Sequence, residues 1–260
     1  MLKILKYSFY DLMRSRWSYV YFLFYLALGF VLLFLNNDVS KAVITLMNII
    51  IVLVPLIGTI FGVMYYYNSK EFTELLLAQP IKRSSIFLGQ YFGVAGSLTL
   101  SLVLGLGIPF VLYGLLRSDA IFDFSMLLLI GAFLTLIFTA LSFNIALSNE
   151  NKIKGFGYAV LLWLFLAVVY DGLFLMSLIL FEEYPLDNFS LFATMLNPID
   201  LSRTLILLKL DISALLGYTG AVFKSFFGTS LGLFISFLML TLWTVIPVLR
   251  LIFKSRKKDF

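Results

Sequence analysis

Residues Val43–Tyr67 read VITLMNIIIVLVPLIGTIFGVMYYY, twenty-five positions without a charged side chain. A helix rises about 1.5 Å per residue, so roughly 20 apolar residues cross the hydrocarbon of a bilayer. Five more stretches of this kind lie at about 17–35, 87–116, 125–147, 157–180 and 228–252. The whole chain is 62% hydrophobic and 13% charged, against about 25% charged in a soluble domain. The expected fold is therefore all-α: a polytopic membrane protein with six transmembrane helices in a single transmembrane domain over residues 1–260. Such a composition excludes a soluble core.

Six spans put both termini on one side. The basic residues agree with that count. Lys3, Lys6, Arg14 and Arg16 precede the first span; Lys70, Lys82 and Arg83 follow the second; Lys152 and Lys154 follow the fourth; Arg250, Lys254, Arg256, Lys257 and Lys258 end the chain. These fourteen of the 19 Lys and Arg fall on the side of the termini, which the positive-inside rule places in the cytoplasm. The expected location is a bacterial inner membrane. The net charge of +5 is thus a topological signal, and no nucleic-acid partner is expected. The first apolar run is long enough to remain as a span, so no cleaved signal peptide is expected.

Next to the opening stretch lies a short polar one, Asn68-Ser-Lys-Glu-Phe-Thr-Glu-Leu-Leu-Leu-Ala-Gln-Pro-Ile-Lys-Arg83, within a loop over 68–86. Asn68 can serve as a helix N-cap, with Glu71 three residues on completing a capping-box-like pair. Phe72, Leu75 and Leu76 fall on one side at helical spacing, and Glu71 and Glu74 flank them. Pro80 ends the helix, and Lys82 and Arg83 follow. An amphipathic helix there is either a docking element for a soluble partner or a solvated connector on the lipid surface.

Residues 1–16 form an expected interfacial helix, with Leu2, Leu5, Phe9, Leu12 and Met13 on one face and Lys3, Lys6, Tyr10 and Arg14 elsewhere. The third span has small residues at every fourth position, Gly89, Gly93, Ser97, Ser101 and Gly105; shorter stripes are Gly58 with Gly62, and Gly228 and Gly232 with Ser236. Such stripes bring helix backbones close together, within the chain or at a subunit interface; packing within the chain is the preferred reading. Pro55 and Pro109 are candidate kinks.

The sizeable extracytoplasmic loop is 181–227. It opens with acidic Glu182, Glu183 and Asp187 and carries Asn197-Pro198-Ile199-Asp200-Leu201-Ser202-Arg203. Pro198 after Asn197 predicts a helix start. The apolar stretch from Leu201 to Leu210 is expected to rest on the membrane or on another protein.

The chain has no Cys and no His. Disulfides, thiolate chemistry and imidazole ligands are thereby excluded. No phosphate-binding G-x-x-x-x-G-K-[ST], GxSxG or HExxH sequence occurs. No catalytic residue, resident metal or cofactor is assigned to this chain, and it is not expected to be an enzyme. Met176 and Met195 could meet a soft metal on the outer side, though packing is the ordinary role of two methionines. Asp171, beside Tyr170, lies past the middle of the fifth span. A carboxylate there costs about 2.5–3.5 kcal/mol on insertion scales, so it serves function or acts as polar glue between helices.

With these residues in view, the segment Lys70–Arg83, continued by Ile86-Phe-Leu-Gly-Gln90, resembles the cytoplasmic coupling helix of type-two ABC exporter permeases. Six spans, an N-terminal interfacial helix, cytoplasmic termini and a large last external loop complete the resemblance over essentially the whole chain. Leu77-Ala-Gln-Pro80, Val169-Tyr-Asp171 and Leu196-Asn-Pro-Ile-Asp200 with Arg203 are similar to the NosY group, the permease of the nitrous-oxide-reductase maturation transporter. The chain departs from the family at Phe72, where a Gly is usual, and at Gln90, where a Lys is usual.

The resemblance implies a homodimeric permease driven by a separate cytoplasmic ATPase subunit, which binds the ATP and magnesium. It implies coupling residues Glu71, Phe72, Glu74, Leu75, Leu76, Pro80, Lys82 and Arg83. For the NosY group it also implies a periplasmic partner and a part in copper-enzyme maturation. Rival expectations are an exporter permease for lipid, polysaccharide or another substrate, a non-transporting membrane scaffold, and an integral membrane enzyme.

Overall fold

The structure is a computed structural model that describes residues 1–36, 38–181, 186–209 and 220–257. Every regular element among the described residues is helical, and six helices are long and apolar enough to cross a membrane. After a short helix α1 (Leu2–Arg14) come α2 (Arg16–Asn36) and α3 (Val39–Asn68). A second short helix, α4 (Lys70–Leu77), leads into α5 (Arg83–Leu112) and α6 (Ile121–Ser148). The fifth span is composite: α7 (Lys152–Leu164), one π turn (Phe165–Val169) and α8 (Tyr170–Leu180). Then follow α9 (Asp187–Leu196), α10 (Pro198–Lys209), α11 (Gly220–Phe227) and the last span, α12 (Ser230–Lys257).

These bounds follow the apolar runs closely, because hydropathy over about 20 residues is a length-scale signal. The third span stops four residues early. Gly114 takes a left-handed φ of 92°, and a 3-10 turn at Leu115–Arg117 replaces the last helical turn. Helices α3 and α5 continue through Pro55 and Pro109.

The centre of the bundle is α3, α5 and α6. Half or more of the apolar 18-residue stretch of each central span is buried in the protein, against 17% of that of the fifth span and 22% of that of the last, which lie at the periphery. Small residues set the closest approaches. A Cβ on Gly62 would overlap the Ser142 hydroxyl of α6, and one on Gly93 would come within 2.6 Å of Ser8 Cβ in α1. Gly89 faces Ile4, and Gly105 faces Tyr25 of α2. The glycines of the α5 stripe therefore pack within the chain, as preferred on sequence grounds.

Helix α1 seats on that stripe with Ile4, Ser8 and Leu12, which are buried. The expected apolar face was rotated from this one. Leu2 is 80% exposed, whereas Leu5 and Phe9 lie at the edge of the contact, beside Gly89 and Gly96. The glycine groove on α5 accepts the narrow Ser8 side, where a Leu or Phe would not fit.

Helix α1, the α3–α4 corner, the α6–α7 corner and the end of α12 share one end of the bundle. Tyr67 donates to Asn149 O at 2.7 Å, Lys152 donates to Asn68 Oδ1 at 2.9 Å, and Lys254 bonds Ser148.

Candidate functional site: a fastened short helix and a polar node

Helix α4 sits at the end that holds the termini. Its N-cap is Ser69, without a side-chain cap, so the expected Asn68–Glu71 capping pair does not form. Asn68 instead closes α3 and takes the Lys152 bond. Two contacts, at Thr73 and Phe72, fix the helix on its inner side. Thr73, buried, donates to Ser69 O at 2.8 Å, and Gln90 of α5 donates to Thr73 Oγ1 at 2.8 Å. Phe72 stacks on Tyr7 of α1, with ring centroids 4.5 Å apart. Phe72 and Gln90 thus hold α4 to the body of the protein.

The outer side carries the residues a partner could meet. Leu75 is 68% exposed, while Leu76 is half-buried. Glu71 and Glu74 are exposed, and Lys70 lies 3.8 Å from Glu74. Phe72 is therefore spent on Tyr7, and Leu75 is the prominent apolar group among the three expected anchors. At the exit, Ile81 N–H bonds Gln79 O at 2.7 Å, a tight turn around Pro80. Pro80, Lys82 and Arg83 are exposed, with Lys82 as the N-cap residue of α5.

The second region lies between the fifth span and the segment after it. Helices α9 and α10 meet at 115° on Asn197. Asn197 holds this corner in three directions. Its Oδ1 accepts from Ile199 N–H at 3.0 Å, capping α10, while its Nδ2 donates to Asp200 Oδ2 and to Leu166 O, both at 2.8 Å. Leu166 belongs to the π turn, where Tyr170 N–H bonds Phe165 O in a five-residue step and the regular ladder is broken. Trp243 of α12 donates to Met195 O at 3.1 Å from the other side.

These bonds place the corner at depth. Leu166 and Trp243 lie about 14 and 13 residues inside the ends of their helices opposite α1, or roughly 20 Å at 1.5 Å per residue. The α9–α10 pair is therefore re-entrant. Irregular backbone at this depth persists only where protein satisfies its polar groups, and Asn197, fully buried, does so.

Asp171 and Arg203 face each other beside this corner, with Nη1–Oδ2 at 2.6 Å and both side chains about 30% exposed. Asp200 Oδ1 lies 3.7 Å from the same guanidinium nitrogen. Tyr170 donates to Ala193 O at 2.7 Å. All five polar residues singled out in the sequence, Tyr170, Asp171, Asn197, Asp200 and Arg203, thus converge on one node. It carries two carboxylates and one guanidinium.

Two expectations for the 181–227 loop change. Helix α10 does not lie on a membrane or partner surface; Ile199, Leu201, Leu205 and Ile206 are buried in the protein, packed against α3, α6 and α12. Asn197 and Asp200 are likewise inside. Among the described residues of this segment, α9 exposes Phe189, Phe192 and Leu196. Glu182, Glu183 and Leu210 lie outside the described residues. Met176 is on the exposed flank of α8, whereas Met195 sits at the corner under Trp243.

Tyr7, Thr73 and Asn144, which donates to Pro247 O of α12 at 2.8 Å, were not singled out in the sequence, and Gln90 was noted there without its contact to Thr73. Gln90 and Asn144 had a usable signal: each is an uncharged polar group in an apolar run, which marks a helix contact. Tyr7 and Thr73 had none.

No protein-family model matches this chain, and no curated protein matches it.

Proposed function

We propose that this chain is the membrane-spanning permease subunit of an ATP-driven transporter of the type-two ABC exporter class, seated in a bacterial inner membrane with both termini cytoplasmic. A separate ATPase subunit binds ATP and magnesium and docks on α4. The observation that carries this reading is α4 itself. It is a short helix that presents Leu75, Glu71 and Glu74 outward while Thr73 and Phe72 fasten it to α5 and α1. A helix so mounted passes a push from a bound partner to two other helices, which a free connector would not do.

The re-entrant pair supports the same reading. In the polar node bridging the fifth span and α10, Asp171 and Asp200 share the Arg203 guanidinium, and a conformational cycle can act by favouring one of these pairings over the other. The sparsely buried flank of α7 and α8 is where a second copy of the chain docks. The exposed face of α9 meets the extracytoplasmic partner of a copper-enzyme maturation system, the finer assignment suggested by the NosY-like stretches.

Affinity purification from native membranes tests the reading. Wild-type chain should retain a soluble ATPase, and Leu75→Asp should lose it while remaining in the membrane fraction. Helix-in-groove contacts concentrate their energy in such apolar anchors. A permease that retains no ATPase, or a Leu75→Asp variant that retains it undiminished, overturns the docking claim. A non-transporting scaffold would retain the partner without stimulating ATP hydrolysis.

A further inference from the structure

Between α1, α3 and α4 lies a cavity of about 690 Å³ that neither α4 docking nor the polar node uses. Its mouth is polar and charged: Asp11, Arg14, Asn68 and Ser69. Its depth is apolar: Ile60, Phe61 and Met64. Ile60 is eight residues above Asn68, about 12 Å along α3, so the cavity runs from the interface into one leaflet. On the proposed orientation that is the inner leaflet. A second, shallower depression of about 570 Å³ shares Asp11 and Arg14 and adds Lys3 and Lys6.

The mouth has a specific charge pattern. Asp11 and Arg14 are exposed, one turn apart on α1, and among the described residues neither forms an ion pair. Two opposite charges left open side by side at a membrane interface match a headgroup that itself carries both signs. The wall adds a further polar group. Tyr65 is over nine-tenths buried, and its hydroxyl lies beside Ser8 and Asp11 without a hydrogen bond of normal geometry.

We propose that this cavity binds one zwitterionic aminophospholipid of the leaflet on the side of the termini. The phosphate rests on Arg14, the ammonium on Asp11, and an acyl chain lies along Ile60, Phe61 and Met64. Guanidinium is suited to phosphate because its planar fork donates two parallel bonds. An anionic lipid satisfies Arg14 but leaves Asp11 facing a like charge. The wall of this cavity includes Phe72, so the lipid lies against the inner side of α4. The site stands on the cavity and its charges and holds whether or not the chain is a transporter.

The test is native mass spectrometry of the delipidated full chain, titrated separately with dioleoyl phosphatidylethanolamine and dioleoyl phosphatidylglycerol. The expected result is one tightly held phosphatidylethanolamine per chain and about tenfold weaker phosphatidylglycerol, the scale of one charged hydrogen bond. Arg14→Gln should weaken phosphatidylethanolamine about tenfold. Asp11→Asn should erase most of the difference between the two lipids. Lys3→Gln, outside the larger cavity, should change neither beyond twofold. Equal affinity for the two lipids in wild type, unaffected by Arg14→Gln or Asp11→Asn, would reduce the site to acyl packing and overturn the proposal. Loss of the bound lipid when a soluble partner assembles would assign the cavity to protein, with the same consequence.

Discussion

Asp171 and Arg203, 32 positions apart in sequence, meet at 2.6 Å and tie the fifth span to the re-entrant helix α10. Removing one partner should therefore cost more than removing both. Asp171→Leu strands Arg203 against Asp200, and Arg203→Leu leaves two carboxylates together. Each single variant should lower thermal stability in detergent by about 1–3 kcal/mol, towards the lower end because both groups remain about 30% exposed. The double variant Asp171→Leu/Arg203→Leu should recover part of that loss. Strict additivity of the two losses would mean that the pair is not coupled.

Asp171→Asn asks whether the pair does more than hold the helices together. It preserves shape and one hydrogen bond to Arg203 but removes the charge. If the node switches between arrangements during transport, the variant assembles normally and loses coupled activity. If the node is only glue, the variant works like wild type.

Asn197→Ala removes the cap of α10 and the bonds to Leu166 O and Asp200 together. A lost cap costs about 1 kcal/mol and a stranded buried group about 1–3 kcal/mol. The sum predicts a destabilisation of roughly 2–4 kcal/mol, read as a clear drop in melting temperature. Asn197→Asp keeps the cap but puts a carboxylate against Asp200, and should fare no better. A melting temperature unchanged in both would show that the corner is held by packing alone.

Gly93→Leu should lift α1 off α5, because even a Cβ there meets Ser8 at 2.6 Å. Overpacking of this kind costs about 1–3 kcal/mol. Gly107→Leu, in the same helix but with nothing within 4 Å of its Cβ position, is the matched control and should be tolerated. Protease sensitivity of α1 is the appropriate readout, rising only in the first variant.

The proposed topology is checked by single cysteines in this Cys-free chain. Ser69→Cys should label from the cytoplasm and Asn188→Cys from outside. Labelling of both positions from one side would contradict the assignment.

How much of this was legible in the sequence depends on the range of the interaction. The six spans were, because each is a local run of apolar residues. Asp171 was too, since a carboxylate in such a run needs no neighbour to be noticed. Its partner was not: Arg203 reads as part of an external loop, and only the Asn197–Leu166 bond shows that the loop folds back to the depth of the π turn. The π turn itself leaves no mark in Phe165–Val169, an ordinary apolar stretch. In α4 the helix was legible from its spacing, but its division into a fastened and a free side was not. Phe72 and Leu75 look alike in the sequence, and the Tyr7 ring that occupies Phe72 comes from 65 positions away.

The docking of an ATPase on α4 is tested most directly by a photo-crosslinking residue placed at position 75 in cells. One protein adduct is expected, with a soluble subunit that binds ATP, and none from the same residue placed at position 100 on the apolar flank of α5. Adducts to lipid alone at position 75, with no ATP-binding protein, would contradict it.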